Sequence, residues 1–115
     1  MKNQGVFTIS DIRFTIDEEM NSEELKTRTK KFAVDIVKLS YQLKVRQETK
    51  IFTSQLIRCA SSVGANYRAA CRVKSDADYI NKLKIVEEET DESIFFLELI
   101  KEFSPEKSKE VNILN

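Results

Sequence analysis

Histidine is absent from this chain of 115 residues. Its absence removes Ser–His and Cys–His nucleophile pairs, most zinc sites and the Glu-x-x-His pattern of di-iron bundles. Two glycines and one proline leave nothing from which to build a glycine-rich phosphate loop. The two cysteines are Cys59 and Cys71. On one helix they would stand ~18 Å apart by helix rise, past the ~7 Å limit for a disulfide. They read as core filler or a spare thiol. No apolar run approaches the ~18–20 residues of a membrane span, and the first residues carry no basic-then-apolar signal pattern. The expectation is a cytoplasmic chain that is not an enzyme, holds no cofactor or metal, and has no membrane segment.

What is present suits one domain with one modest core. Hydrophobic residues at 41% and charged residues at 33% are the balance of a folded helical chain, not of a disordered one. Lys+Arg and Asp+Glu each number 19, yet the neutrality holds only in total. Residues 1–24 carry a net −4, residues 25–74 a net +10, residues 75–103 a net −6, and the last twelve balance. Such segregation has two readings. Acidic and basic segments can pack side by side and quench each other's field, or the basic segment can offer a face to nucleic acid. Zero total charge favours the first.

Residues 5–16 alternate apolar and polar, with Ile12, Phe14 and Ile16 on one face of a short strand. One short strand is not stable alone, so residues 1–20 are expected to form an extended or flexible arm. From Asn21 the period changes. Asn21 and Glu24 make a capping-box pattern, and Leu25, Thr29, Phe32, Ile36, Leu39 and Leu43 then recur at 4-3-4-3-4 spacing. Phe52, Leu56, Cys59, Val63, Asn66 and Ala70 repeat that spacing, as do Tyr79, Leu83, Val86, Thr90, Ile94 and Leu97 after an N-cap at Ser75. Ser104-Pro105 announces a last helix of about ten residues, too short to persist unless it docks. The spacing predicts helices over about 22–45, 49–73, 76–103 and 105–114, with Lys44–Thr49 as a polar connection. The fold expected is all-α: an up-down antiparallel four-helix bundle with a short or incomplete fourth helix and the extended arm.

Two helices carry more apolar surface than one seam requires. Val34, Val37, Tyr41 and Val45 make a second stripe on the first helix; Phe95, Phe96, Leu99 and Phe103 leave the third apolar nearly all round. A helix apolar on every side must be covered on every side, so these eight residues are the candidate oligomer interface. Ser61, Ser62, Gly64 and Ala65 are small, which marks a close helix contact; Gly64 lowers helix propensity by about 1 kcal/mol relative to Ala.

Lys50, Arg58, Arg68, Arg72 and Lys74 form the candidate nucleic-acid strip, its three arginines within ~80° of the helix circumference. Salt bridging to the acidic third helix is the favoured account of it, for the reason the net charge gives, and Tyr41 and Tyr67 fit aromatic packing as well as base stacking. Glu87, Glu88, Glu89, Asp91 and Glu92 are the densest carboxylates, but they lack nitrogen ligands and point in several directions. Glu87 is expected to reach Arg58, and with Asn66 on the seam these three make a candidate structural polar network.

Three stretches together resemble a known family: Gln55-Leu56-Ile57-Arg58, Ser62-Val63-Gly64-Ala65-Asn66-Tyr67-Arg68-Ala69-Ala70-Cys71-Arg72, and Lys84-Ile85-Val86-Glu87-Glu88-Glu89-Thr90-Asp91-Glu92-Ser93. They are similar to the bacterial four-helix-bundle proteins labelled ribosomal intervening-sequence proteins, some of which are encoded within insertions in large-subunit ribosomal RNA genes. The likeness spans about residues 24–103. It implies an up-down bundle, in several relatives a ring-like homopentamer, and no enzymatic activity. A related member, the accessory protein of diversity-generating retroelements, is a basic pentamer that binds its reverse transcriptase and nucleic acid. The zero net charge here departs from that pattern, as does the short last segment. The expected partner is therefore a second copy of the chain, pentameric by resemblance, with nucleic acid as the alternative.

Overall fold

A computed structural model describes residues 22–115. The arm expected over 1–20, and the Asn21 cap, lie outside the described residues.

The first helix, α1, runs Ser22–Gln42. Its expected seam is the buried one: Leu25, Thr29, Phe32, Ile36 and Leu39, with Leu43 buried just past its end. The Thr29 hydroxyl would be an unsatisfied polar group in that seam, but it donates to the Leu25 carbonyl at 2.9 Å. The helix stops three residues short of the expected 45, so Val45 belongs to the connection and not to the stripe of Val34, Val37 and Tyr41.

Helix α2 spans Gln47–Ala70, starting two residues early. Thr49, taken from sequence as linker, is buried inside its first turn. Its hydroxyl accepts from the Arg46 N–H at 3.0 Å and donates to the Lys44 carbonyl at 2.8 Å, fastening the entry to the helix. At the other end the helix closes before the expected 73, because the Arg72 and Val73 amides reach back only three residues, to Ala69 and Ala70.

Helix α3, Asp76–Phe103, is capped as expected: Ser75 Oγ accepts from the Asp78 N–H at 3.1 Å, with Asp76 and Asp78 in the first turn where the helix dipole favours them. Its buried line is Val86, Thr90, Ser93, Leu97 and Ile100. That line corrects the expected stripe. Leu83 and Ile94 are only half-buried and Tyr79 is exposed, while Ser93 lies inside. Its hydroxyl donates to the Glu89 carbonyl at 2.9 Å and touches the Cys59 sulfur at 3.2 Å, so its polar group is satisfied inside the core.

A 3₁₀ turn, Pro105–Lys107, leads into α4, Ser108–Leu114. Ser104 does not cap it with its side chain; its N–H closes α3 on Ile100 and its carbonyl accepts from Lys107. Val111 and Leu114 are buried, which is the docking such a short helix needs.

The helices join in the order α1–α2–α3–α4, with α4 returning to α1. Neighbours run antiparallel: Phe52, early in α2, packs its ring 5.5 Å from that of Phe103 at the end of α3, and Gly64, late in α2, faces Thr29, early in α1. A Cβ on Gly64 would stand 3.3 Å from Thr29 Oγ1. The small-residue stretch is therefore the close helix contact expected of it. Phe32, Ile36, Leu56, Val63, Val86, Leu97, Ile100 and Val111 fill the centre, each burial being worth about 1.5–3 kcal/mol. Among the described residues no helix is long and apolar enough to cross a membrane.

Candidate functional site

Chemistry comes first, and it is sparse. Among the described residues no group of three or more cysteines or carboxylates could hold a metal ion. The carboxylate cluster of α3 is divided by helix geometry. Glu89 and Glu92, one turn apart, face α2, and Arg58 bonds both, Glu89 at 3.2 Å. The guanidinium is held charged above its ordinary value chiefly by the hydrogen bond to Glu92. Glu87 lies about 200° round the helix from Glu89 and is exposed. The expected Arg58–Glu87 pair is thus replaced by Arg58 with Glu89 and Glu92. Asn66 joins neither residue: its amide donates within α2, to the Ser62 carbonyl and hydroxyl, both at 2.9 Å. The network of Arg58, Asn66 and Glu87 is three separate local arrangements.

The basic strip is broken in the same way. Arg58 is spent on α3. Arg72 and Lys74 sit past the end of α2, in the turn to α3, and Lys50 is in its first turn. Among the described residues no ion pair joins Lys50, Arg68, Arg72 or Lys74 to a carboxylate, and within the strip it is Arg58 that pairs with the third helix.

Burial sorts the remaining candidates. Cys59 is buried and Cys71 exposed, both as free thiols; burial pushes the Cys59 thiol up, against a smaller lowering by Ser93. Tyr67 is buried in the core, so it offers no ring to a base, and burial, then its bond with Cys71, pushes its phenol well above the ordinary range. Tyr41 is the exposed one, at 80% of its surface.

The apolar stripes remain open over much of their length. Val34 is 40% exposed and Val37 half-buried beside it. They line a shallow hollow of about 330 Å³ with Ala33, Lys38, Tyr41 and Ser61. A second hollow of about 330 Å³ continues it through Ala33 and Ser61 to Lys30, Gly64, Ala65 and Arg68. On α3, Phe95 is 54% and Phe103 45% exposed, whereas Phe96 packs against the core with Phe95 edge-on at 5.4 Å. Phe95 and Leu99 line a groove of about 590 Å³ with Glu98, Lys101, Glu102, Pro105 and Ser108. Ile51 and Ile80, which stand off the seams of their helices, are exposed as well, and so is Ile113 of the last helix.

The geometry of the described residues is an all-α bundle with half-open apolar flanks. The family model of the 23S rRNA-intervening sequence protein matches residues 22–115, and the chain belongs to that family. Comparison with curated proteins and with solved structures finds no match.

Proposed function

We propose that this chain is a non-enzymatic, self-associating helical module that acts as a homo-oligomeric scaffold. The observation that carries the reading is the pair of half-open apolar flanks, Val34 with Tyr41 along the α1–α2 hollow and Phe95 with Leu99 along the α3 groove. Single exposed apolar side chains are ordinary on any surface. Neighbouring ones lining a continuous hollow mark an interaction site. Five copies is the number the family resemblance implies. Light scattering at micromolar concentration should give a mass several times 13.3 kDa; a clean monomer would overturn the proposal.

A second reading has its own support in Lys50, Arg68, Arg72 and Lys74, which no carboxylate of the described residues quenches. As an RNA- or DNA-binding accessory protein the chain would lose affinity steeply as salt rises, and Arg68→Glu with Arg72→Glu would abolish binding. Binding indifferent to both changes would leave these residues a structural role only.

A further inference from the structure

The two apolar flanks differ in the charge that surrounds them. The hollows along the α1–α2 joint are rimmed by Lys30, Lys38 and Arg68, and no carboxylate lines either one. Asp35, the one acidic residue of the middle of α1, is turned aside onto Lys31 at 2.8 Å. The groove on α3 is the reverse: Glu98 and Glu102 stand beside Phe95 and Leu99, with Lys101 as the single basic group. Glu88 and Asp91 lie along the same exposed side of α3 by helical period, with Lys84 one turn before them.

We infer that copies of the chain associate head to tail, the basic α1–α2 trough of one seating on the acidic α3 flank of the next. This rests on the self-association proposed above and says which surfaces meet. The two surfaces share no helix and no lining residue, so one copy can use both at once. Each has an apolar centre and a charged rim, the anatomy of a specific interface. Matching a surface with its own copy would set Lys30, Lys38 and Arg68 against their equivalents, and like charges opposed in this way are disfavoured. Crossing the two surfaces sets opposite rims together around Val34, Tyr41 and Phe95. An interface made from two different patches is heterologous, and repetition of it closes a ring where the rotation allows.

Charge exchange tests the pairing on the full chain, read by light scattering. Lys30→Glu with Lys38→Glu should dissociate the assembly to monomer, and so should Glu98→Lys with Glu102→Lys. An equimolar mixture of these two variants should assemble again, since each now complements the other. One chain carrying all four substitutions should assemble by itself. Circular dichroism like that of the unchanged protein shows that each variant folds. Should a two-site variant unfold, the unchanged chain still answers: its mass must fall as salt approaches 1 M, where charges are screened beyond about 3 Å. Assembly that survives either single-surface reversal, is lost with only one of the two, fails to return in the four-site chain, or ignores salt would overturn head-to-tail pairing while leaving self-association standing. An unchanged chain that is monomeric overturns both.

Discussion

The α2–α3 joint and the outer flanks are built from the same kinds of side chain at the same helical spacing, yet they do opposite things. At the joint Leu56, Cys59 and Val63 meet Val86, Ser93 and Leu97 with almost no surface left to water, and Arg58 with Glu89 and Glu92 closes its edge. On the flanks Val34, Tyr41 and Phe95 have similar bulk but stay 40%, 80% and 54% exposed. Burial at the joint is thus complete within the subunit, and burial at the flanks is only partial. The difference teaches that apolar periodicity identifies a face without saying what covers it.

The sharpest way to break this contrast is truncation on each side of it. Leu97→Ala should destabilise the fold by about 2–5 kcal/mol through lost burial and a cavity, read as a lower urea midpoint. Tyr41→Ser and Phe95→Ser should leave the dilute subunit within about 0.5 kcal/mol of the parent while reducing the assembly's mass. If Tyr41→Ser were as damaging as Leu97→Ala in the monomer, the flank would be core after all. The α1–α2 joint offers a finer test. Gly64→Val places a branched side chain against Thr29 and should cost about 1–3 kcal/mol by overpacking; thermal melting that does not move would deny the close approach.

Titration separates buried from exposed tyrosine. Because the Tyr67 phenol is raised in the folded chain, the folded state binds its proton more tightly than the unfolded state does. The stability this contributes is whole below the ordinary phenol value of about 10 and drains away as pH climbs from there toward the folded value. The urea midpoint should therefore fall between pH 8 and a pH above 10, and Tyr67→Phe should flatten that fall. The smallest effect belongs to the ion pair. Arg58→Gln should lower the melting temperature slightly and less so in high salt; Glu87→Gln should not move it. Equal effects from the two would restore the pairing with Glu87 that the sequence suggested.

Much was legible in the order of residues because helical period is a local property. Five seam positions of α1, the Ser75 cap and the tight contact at Gly64 could be written down before any fold was known, since each depends on neighbours within one turn or on size alone. Family membership was legible too, in three stretches spread over α2 and α3. What could not be read there depended on partners distant along the chain. Glu87 and Glu89 are equivalent as letters, and only the rotation of α3 against α2 chose Glu89 and Glu92 for Arg58. Ser93 replaced Ile94 in the core for the same reason, a shift of 100° that periodicity tolerates and packing does not. Thr49 became a fastening of α2 because its hydroxyl lay within reach of two backbone groups across a turn. Sequence determined which faces were apolar and which segments carried which charge. Tertiary structure decided which faces met, because contact between helices is fixed by the rotation and offset of one cylinder on another, quantities to which no single helix holds the information.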